Sequence, residues 1–328
     1  MTTTALIAVD WGTTSLRVWG LDEGGAIVQH ARSDRGVRET AATATREGEQ
    51  TAAAFEAALH ATAGEILNAG PEAPIIMCGM VGSRDGWREV PYLTTPCGVD
   101  EIGRSLRPVA MQGRRAVIVP GLLQPRSAVS WPDVMRGEET QCVGIAAQRG
   151  EAASLHLVLP GTHTKWVQVA DGRIRDFETS MTGELWDAIL GHTIVGRGAV
   201  GRDIDLAAFE RGRRDAADGA RRRDLAGLLF GSRALMLTGE LAPGGVASYV
   251  SGVLIGDEVA HQVAGLPVEQ PLLMAGEPTL TRLYAAAIEA EGHHVDVLPD
   301  PTRRGLWEIA RRSNLLGDLT QRQQQTPD

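Results

Sequence analysis

Two short segments of the chain carry the same polar loop between apolar runs. One is Val9-Asp10-Trp11-Gly12-Thr13-Thr14-Ser15 and the other Leu159-Pro160-Gly161-Thr162-His163-Thr164-Lys165. With Gly12 set on Gly161, Thr13 meets Thr162, Ser15 meets Thr164, Val18 meets Val167 and Asp22 meets Asp171. A Gly-Thr-x-Ser/Thr turn between two strands exposes backbone N–H groups and hydroxyls at one point, an uncharged cradle for phosphate oxygens. Two cradles suggest a nucleotide held in a cleft, with Gly12, Thr13 and Thr14 on one side and Gly161, Thr162, His163 and Thr164 on the other. The copies differ at one telling place, because Asp10 of the first is replaced by Leu159 in the second. A single carboxylate at a strand end can hold the waters of a magnesium ion carried by the β- and γ-phosphates, so ATP and Mg²⁺ are the expected cofactors. The plainer role for Asp10 is to cap its turn through an Asx hydrogen bond. Arg17 and Lys165 follow the two loops and either add charge or are exposed strand residues.

Phosphoryl transfer to an alcohol also needs a carboxylate that accepts the hydroxyl proton from a rigid element. Glu138, at the head of a helix opened by Asp133-Val134-Met135-Arg136-Gly137-Glu138-Glu139-Thr140-Gln141, is the expected base, with Asp133 and Glu139 as rivals. Acidic residues at that position would also favour the positive end of the helix dipole with no chemical role. The polar loop from Gly79 to Tyr92 supplies a substrate clamp: Arg84 for a carboxylate, with Trp87 and Tyr92 stacked on a carbon chain. At Ala275-Gly276-Glu277-Pro278 a strand turns into a helix, and Gly276 would let a flat purine lie close to the backbone.

The elements that must position these groups follow from apolar runs and breakers. Leu6 to Val9, Leu16 to Trp19 and Ala26 to Gln29 read as a meander, followed by a helix from Glu47 to Asn68 and strands at Ile75 to Cys78 and Ala116 to Val119. After a helix from Glu138 to Gln148, a second meander runs through Leu155 to Leu159, Lys165 to Val169 and Arg173 to Phe177. Helices are then expected at Glu184 to His192 and Pro243 to Val263, a strand at Pro271 to Ala275, a helix at Thr279 to Glu291, a strand at Val295 to Leu298 and a helix at Leu306 to Arg312. This predicts an α/β protein of two ribonuclease-H-like domains with a cleft between them, the duplicated arrangement of the actin, hexokinase and Hsp70 folds. The expected division is 1–125, with the first phosphate loop and the substrate loop, and 126–328, with the second phosphate loop and the adenosine site. Arg211 to Asp224 reads as a mixed solvated face or connecting loop, His293-His294 as a solvated pair, and the Gln-rich end as a frayed tail.

The 328 residues allow two domains, and a net charge of −9 argues against nucleic acid or an anionic membrane as partner. Cys78, Cys97 and Cys142 show no CxxC spacing and read as reduced core thiols of a cytoplasmic protein. No apolar stretch approaches the length that spans a bilayer, and no leader pattern opens the chain.

On these segments the chain resembles the 2-dehydro-3-deoxygalactonokinases of the acetate/sugar kinase, Hsp70 and actin superfamily. The distinctive strings are Met135-Arg136-Gly137-Glu138-Glu139-Thr140-Gln141 and Pro160-Gly161-Thr162-His163-Thr164-Lys165. Met77-Cys78-Gly79-Met80-Val81-Gly82-Ser83-Arg84, Met181-Thr182-Gly183-Glu184-Leu185 and Tyr249-Val250-Ser251-Gly252 through Gly256-Asp257-Glu258 also fit. The likeness implies ATP-dependent phosphorylation of 2-dehydro-3-deoxy-D-galactonate on its terminal hydroxyl, a step of galactonate breakdown. In the wider sugar-kinase pattern a Gly-Asp-Gln-Gln string carries the base, and Glu138 after Gly137 takes that place with Glu for Asp. A kinase of another sugar or keto-deoxy acid, a phosphatase of the same fold and a noncatalytic sugar or nucleotide binder are the alternatives. A sugar-responsive repressor would need a DNA-reading helix-turn-helix before Leu6, where there is no room for one. A homodimer is compatible with these features but not specified by them.

Overall fold

The computed structural model describes residues 3–47, 51–127, 130–150, 154–219 and 223–317. Strands β1 (Leu6–Trp11), β2 (Leu16–Leu21) and β3 (Ile27–Ser33) form the antiparallel meander that the apolar runs predict. Helices α1 (Val37–Glu47) and α2 (Thr51–Ala69) lead to β4 (Ile75–Cys78), which lies parallel to β1. The helix expected from Glu47 to Asn68 is α2; α1 is not among the expected helices, its buried stripe of Val37, Thr40 and Ala44 being carried mostly by small or polar residues. Next come β5 (Leu93–Thr94), β6 (Cys97–Gly98), α3 (Val99–Arg104), β7 (Arg107–Val109), β8 (Ala116–Ile118), β9 (Leu122–Gln124) and β10 (Asp133–Met135). Of these only β8 stands out as an apolar run. Helix α4 (Glu138–Arg149) precedes the second meander of β11 (Leu155–Leu159), β12 (Thr164–Ala170) and β13 (Arg173–Ser180). The remainder is α5 (Thr182–His192), α6 (Leu206–Gly219), α7 (Leu225–Leu237), α8 (Val246–Val263), β14 (Leu272–Met274), α9 (Pro278–Ala290), β15 (Val295–Val297) and α10 (Pro301–Arg312).

The two large sheets have the orders β3-β2-β1-β4-β8-β7 and β15-β14-β11-β12-β13-β6, and β10-β9-β5 form a small third sheet. Both large sheets therefore contain one pattern: a three-stranded meander, then two strands added parallel to its first member. In the first sheet these are β4 and β8, in the second β14 and β15. That is the duplicated ribonuclease-H-like fold expected from the sequence.

The chain separates into two compact units, and neither is a continuous half. One contains Met1–Leu155, Val167–Phe177 and Pro299–Asp328; the other contains His156–Trp166 and Glu178–Leu298. These units differ from the consecutive blocks 1–125 and 126–328, since nothing local in the sequence says where the last helix docks. Helix α10 packs on α4, α3 and β1, and Arg303 Nη1 donates to the Gly25 carbonyl at 2.8 Å. In the first unit Val9, Trp11, Phe55, Leu59, Met77 and Ile118 belong to one buried core. In the second, Val158, Trp166, Ile255, Met274 and Tyr284 form one core, and Ile189, Leu228, Tyr249 and Val253 another.

Arg211 to Gly219 is helical rather than a connecting loop, because Phe209 and Ala216 give α6 a buried stripe while Glu210 pairs with Arg213 at 2.7 Å and with Arg214 at 3.2 Å. Residues 220–222 and the Gln-rich end lie outside the described residues. His293 is buried, not solvated, and only His294 is exposed, beside Asp296 at 3.2 Å. Cys78, Cys97 and Cys142 are all buried free thiols. Among the described residues no helix is long and apolar enough to cross a membrane.

Helix α4 is seated by close backbone contact with α10. A Cβ at Gly144 would lie 2.0 Å from the Pro301 carbonyl oxygen, and one at Gly305 would lie 1.8 Å from that of Thr140. Gly144→Ala must push the helices apart and is expected to cost about 1–3 kcal/mol, read as a lower midpoint of thermal unfolding. An unchanged midpoint would show that this contact does not hold α4 in place.

Candidate functional site

In the first unit, Asp10 occupies the last turn of β1 between buried Val9 and Trp11. It pairs in register with Arg17 on β2 and with Cys78 on β4. Arg17 Nη2 donates to Asp10 Oδ2, so this arginine is engaged with the carboxylate. The loop that follows closes through Gly12 N–H to the Ser15 carbonyl at 2.9 Å and leaves Thr13 and Thr14 exposed. A Cβ at Gly12 would meet nothing closer than 3.7 Å, and at Gly161 nothing closer than 3.9 Å. The protein's own packing thus does not require glycine at either cradle, whereas close approach of a ligand to the backbone would. The carbonyls of Gly12 and Thr13 are bonded from behind by the N–H groups of Val37 and Arg38, at 3.0 and 3.3 Å. This support depends on Gly36, whose Cβ would fall 2.2 Å from the Thr13 carbonyl oxygen; no sequence pattern had drawn attention to it.

Gly79 joins this loop to the head of α4. It has φ 92°, and a Cβ there would lie 2.7 Å from the Trp11 carbonyl oxygen and 3.5 Å from Asp10 Oδ1. Gly137, with φ 112°, sits on the other side, where a Cβ would lie 3.2 Å from Gly79 Cα. Asp10 and the start of α4 are thereby brought to one place. The two acids that open α4 both turn back on the backbone. Glu138 Oε2 accepts from Arg136 N–H at 3.1 Å, and Glu139 Oε2 from Gly137 N–H at 2.6 Å. Glu139 is fully buried and also takes the Thr140 hydroxyl at 2.8 Å, which removes it as a direct proton acceptor. Burial, with the Glu138 charge beside it, pushes its carboxyl up to about 7. Asp133 lies on β10 and accepts from its neighbour Val134 N–H at 2.6 Å. Only Glu138 follows the turn that rests on Gly79.

The expected substrate clamp separates into different environments. Arg84 is exposed and engages no side chain. Trp87 is a correction: at 7% exposure it stacks on Phe55 with ring centroids 6.2 Å apart and meets Trp11 edge-on at 6.3 Å, so it belongs to the core. An aromatic among polar neighbours looked like a stacking platform, but the turn at Gly86 carries it inward. Tyr92 is 41% exposed and lies under the Arg136 guanidinium, 4.3 Å from its Cζ.

In the second unit, Thr162 and His163 are exposed at the loop tip, and His163 Nε2 is 2.5 Å from Glu184 Oε2. Thr164 is a second correction. It is fully buried and its hydroxyl is 2.8 Å from that of Tyr284, so it serves the core rather than the cradle. Strand alternation explains this, because Thr164 already belongs to β12 and faces the same side as Trp166. Lys165 is buried as well and donates to Thr179 Oγ1 at 2.8 Å. The N-terminus of α5 takes the place that Thr164 was expected to fill: Glu184 N–H donates to the Thr162 carbonyl at 3.0 Å, and a Cβ at Gly183 would lie 2.7 Å from the Gly161 carbonyl oxygen.

Thr162, Thr182 and Gly183 border a cavity of about 440 Å³ whose walls include Trp186, Phe209, Leu254 and Leu283. Glu277, Thr279 and Leu280 line it just past Gly276, which is itself wedged against the Pro160 carbonyl, 3.1 Å from where its Cβ would be. Glu258, buried on α8, ties this region together. It accepts from Trp166 Nε1 at 2.7 Å, from the Tyr284 hydroxyl at 2.7 Å and from the Thr182 hydroxyl. Burial raises its carboxyl above the usual range, and those three donors partly restrain the rise. An acid inside an otherwise apolar helical run was the available signal for it.

A family model described as 2-keto-3-deoxy-galactonokinase matches residues 10–309. The chain is 39% identical over 309 residues to a probable 2-dehydro-3-deoxygalactonokinase of Rhizobium meliloti (strain 1021), covering 93% of this chain and 96% of the relative. It is 35% identical over 313 residues to the 2-dehydro-3-deoxygalactonokinase of Escherichia coli (strain K12), covering 94% and 98%. A crystal structure of a candidate 2-dehydro-3-deoxygalactonokinase from Sinorhizobium meliloti superposes with a TM-score of 0.79 at 37% identity, covering 93% of this chain and 98% of that one.

The raised carboxyl of Glu139 sets a pH dependence. A folded-state value near 7, above the ordinary 4.5, means that the protonated form is favoured by folding. That contribution is complete below about 4.5 and is lost as pH rises through about 7. The thermal midpoint of the native protein relative to Glu139→Gln is therefore expected to fall between pH 5 and pH 8; a constant difference would mean that Glu139 does not titrate there.

Proposed function

The chain belongs to the 2-keto-3-deoxy-galactonokinase family and is a phosphotransferase acting on 2-dehydro-3-deoxygalactonate, and from that premise we propose how its residues carry the reaction. Glu138 accepts the proton of the substrate's terminal hydroxyl as that oxygen attacks the γ-phosphorus of ATP in line, and ADP leaves. The observation that carries this reading is the seating of Gly137 on Gly79, which puts the Glu138 turn beside Asp10. In the first unit the amides and hydroxyls of Gly12, Thr13 and Thr14 are groups suited to phosphate oxygens. In the second unit Gly161 and Thr162, with the N-terminus of α5 beside them, offer the same chemistry. The apolar cavity past Gly276 takes the adenosine, and its volume suits a nucleoside.

Charge is the remaining requirement. Arg17 is committed to Asp10, and His163 is beside Glu184. The charge of the triphosphate is then met by a cation that arrives with it. Asp10, one hard carboxylate next to hydroxyl-bearing loops, suits Mg²⁺, which prefers oxygen donors and keeps most of its waters. When bound, that ion supplies charge neutralisation at the β- and γ-phosphates. The buried free thiols support a reducing cytoplasmic location.

Two measurements test this proposal. ADP release from Mg-ATP across 2-keto-3-deoxy sugar acids and neutral sugars should select 2-dehydro-3-deoxygalactonate; turnover of another acid would keep the kinase and discard the specificity. Glu138→Gln should bind ATP as the native enzyme does and lose about 10²–10⁴-fold in kcat. Unimpaired turnover in that variant would move the proton acceptor to Asp133 or elsewhere.

A further inference from the structure

Among the described residues of the first unit, Arg136 has the most buried side-chain nitrogens without a partner. Its Nη2 donates to the Val90 carbonyl at 2.7 Å and its guanidinium lies on the Tyr92 ring, yet Nε and Nη1 are buried with no hydrogen-bond partner. No carboxylate among the described residues pairs with it. The loop from Met80 to Tyr92 is nevertheless shaped around this group: a Cβ at Gly82 would lie 2.9 Å from Nη1. Leaving a buried donor unpaired costs about 1–3 kcal/mol, and more for a charged group. A guanidinium used only to brace the fold would be expected to find an acceptor for each edge.

We propose that Arg136, rather than Arg84, recognises the carboxylate of the sugar-acid substrate. The inference rests on the kinase reading above and assigns the specificity for an acid to one residue. A planar carboxylate can take two parallel N–H bonds from one guanidinium edge, Nη2 with either Nε or Nη1, and Nη2 has one hydrogen beyond the one it gives Val90; a lysine cannot reproduce that pair. The placement suits the reaction, because the backbone N–H of Arg136 also holds the Glu138 carboxylate. Two residues of chain span at most about 7 Å, the scale on which a six-carbon acid separates its carboxylate from its far hydroxyl. The two unpaired nitrogens are covered in this structure, and half-exposed Tyr92 is the side chain that can give way.

The test compares kcat/KM for 2-dehydro-3-deoxygalactonate with that for its neutral analogue, in which a primary amide replaces the carboxylate. The native enzyme must turn over the acid with ATP; if it phosphorylates neither compound, the kinase reading fails, and this inference with it, before any variant is made. Arg136→Met is expected to lose about 100-fold or more on the acid and to stay within about three-fold on the amide, so that the preference collapses. Arg136→Lys should keep only part of it. Equal losses on both compounds would make Arg136 a support for the Glu138 turn and overturn the proposal. So would loss of the preference in Arg84→Ala with Arg136→Met unaffected. Should Arg136→Met fail to fold, Arg136→Lys decides: an acid-to-amide ratio at the native value overturns the proposal, and a ratio reduced about ten-fold or more supports it.

Discussion

Gly79 lies where three stretches of backbone meet with no room for a side chain. Trp11 closes on it from the end of β1, leaving less space than a Cβ needs, and Gly137 approaches from the head of α4, where a Cβ would lie 3.2 Å from Gly79 Cα. The positive φ of Gly79 and of Gly137 is a second reason for glycine, since other residues enter that region only with strain. Everything proposed for the first unit depends on this contact. It fixes Asp10 and Glu138 relative to each other without a hydrogen bond between their side chains, through backbone alone. The packing of α4 on α10 then keeps the helix from sliding away.

The second unit solves a similar problem with a side chain. Glu258 gathers one donor each from β12, the start of α5 and α9, so three elements around the cavity share one acceptor. Thr164 is recruited to the same cluster through Tyr284. An aliphatic residue in place of Glu258 would take one acceptor from three donors at once and leave buried Trp166 Nε1 without its partner. The loop tip at Thr162 and His163 is free to face a ligand because its base is anchored in this way.

Much of the fold was legible in the sequence. The paired loops, the two meanders and the strands that follow them are encoded locally, by apolar runs ending at Gly and Pro, and both large sheets have the strand order those elements imply. The residues singled out for the site differ in facing for a physical reason. Thr13 is exposed because a turn presents whatever it carries, whereas Thr164 and Trp87, of suitable chemistry, face inward. Facing depends on where a strand begins and which way a loop turns, and a shift of one residue reverses it. Gly36, Arg136 and Glu258 gain their importance from contacts with residues distant in the chain, which a local pattern marks at most by residue type. The same holds for the return of α10 to the first unit.

Buried carboxylates appear on both sides of the duplication, Glu139 beneath the turn that carries Glu138 and Glu258 beneath the second loop. Burial opposes ionisation in each, so each works against stability near neutral pH. The acids persist because of what they accept. Gly137 N–H, Trp166 Nε1 and the Thr182 hydroxyl would otherwise lose the acceptor they have here, and the Tyr284 hydroxyl would keep only Thr164. Glutamine could replace one acceptor oxygen in either place but would bring an NH₂ group into a position that already faces donors. A carboxylate is the one side-chain group that meets several converging donors with no donor of its own. The two halves therefore share a means of construction as well as a strand order: at each loop an acid removed from solvent holds the polar groups that the chemistry leaves behind.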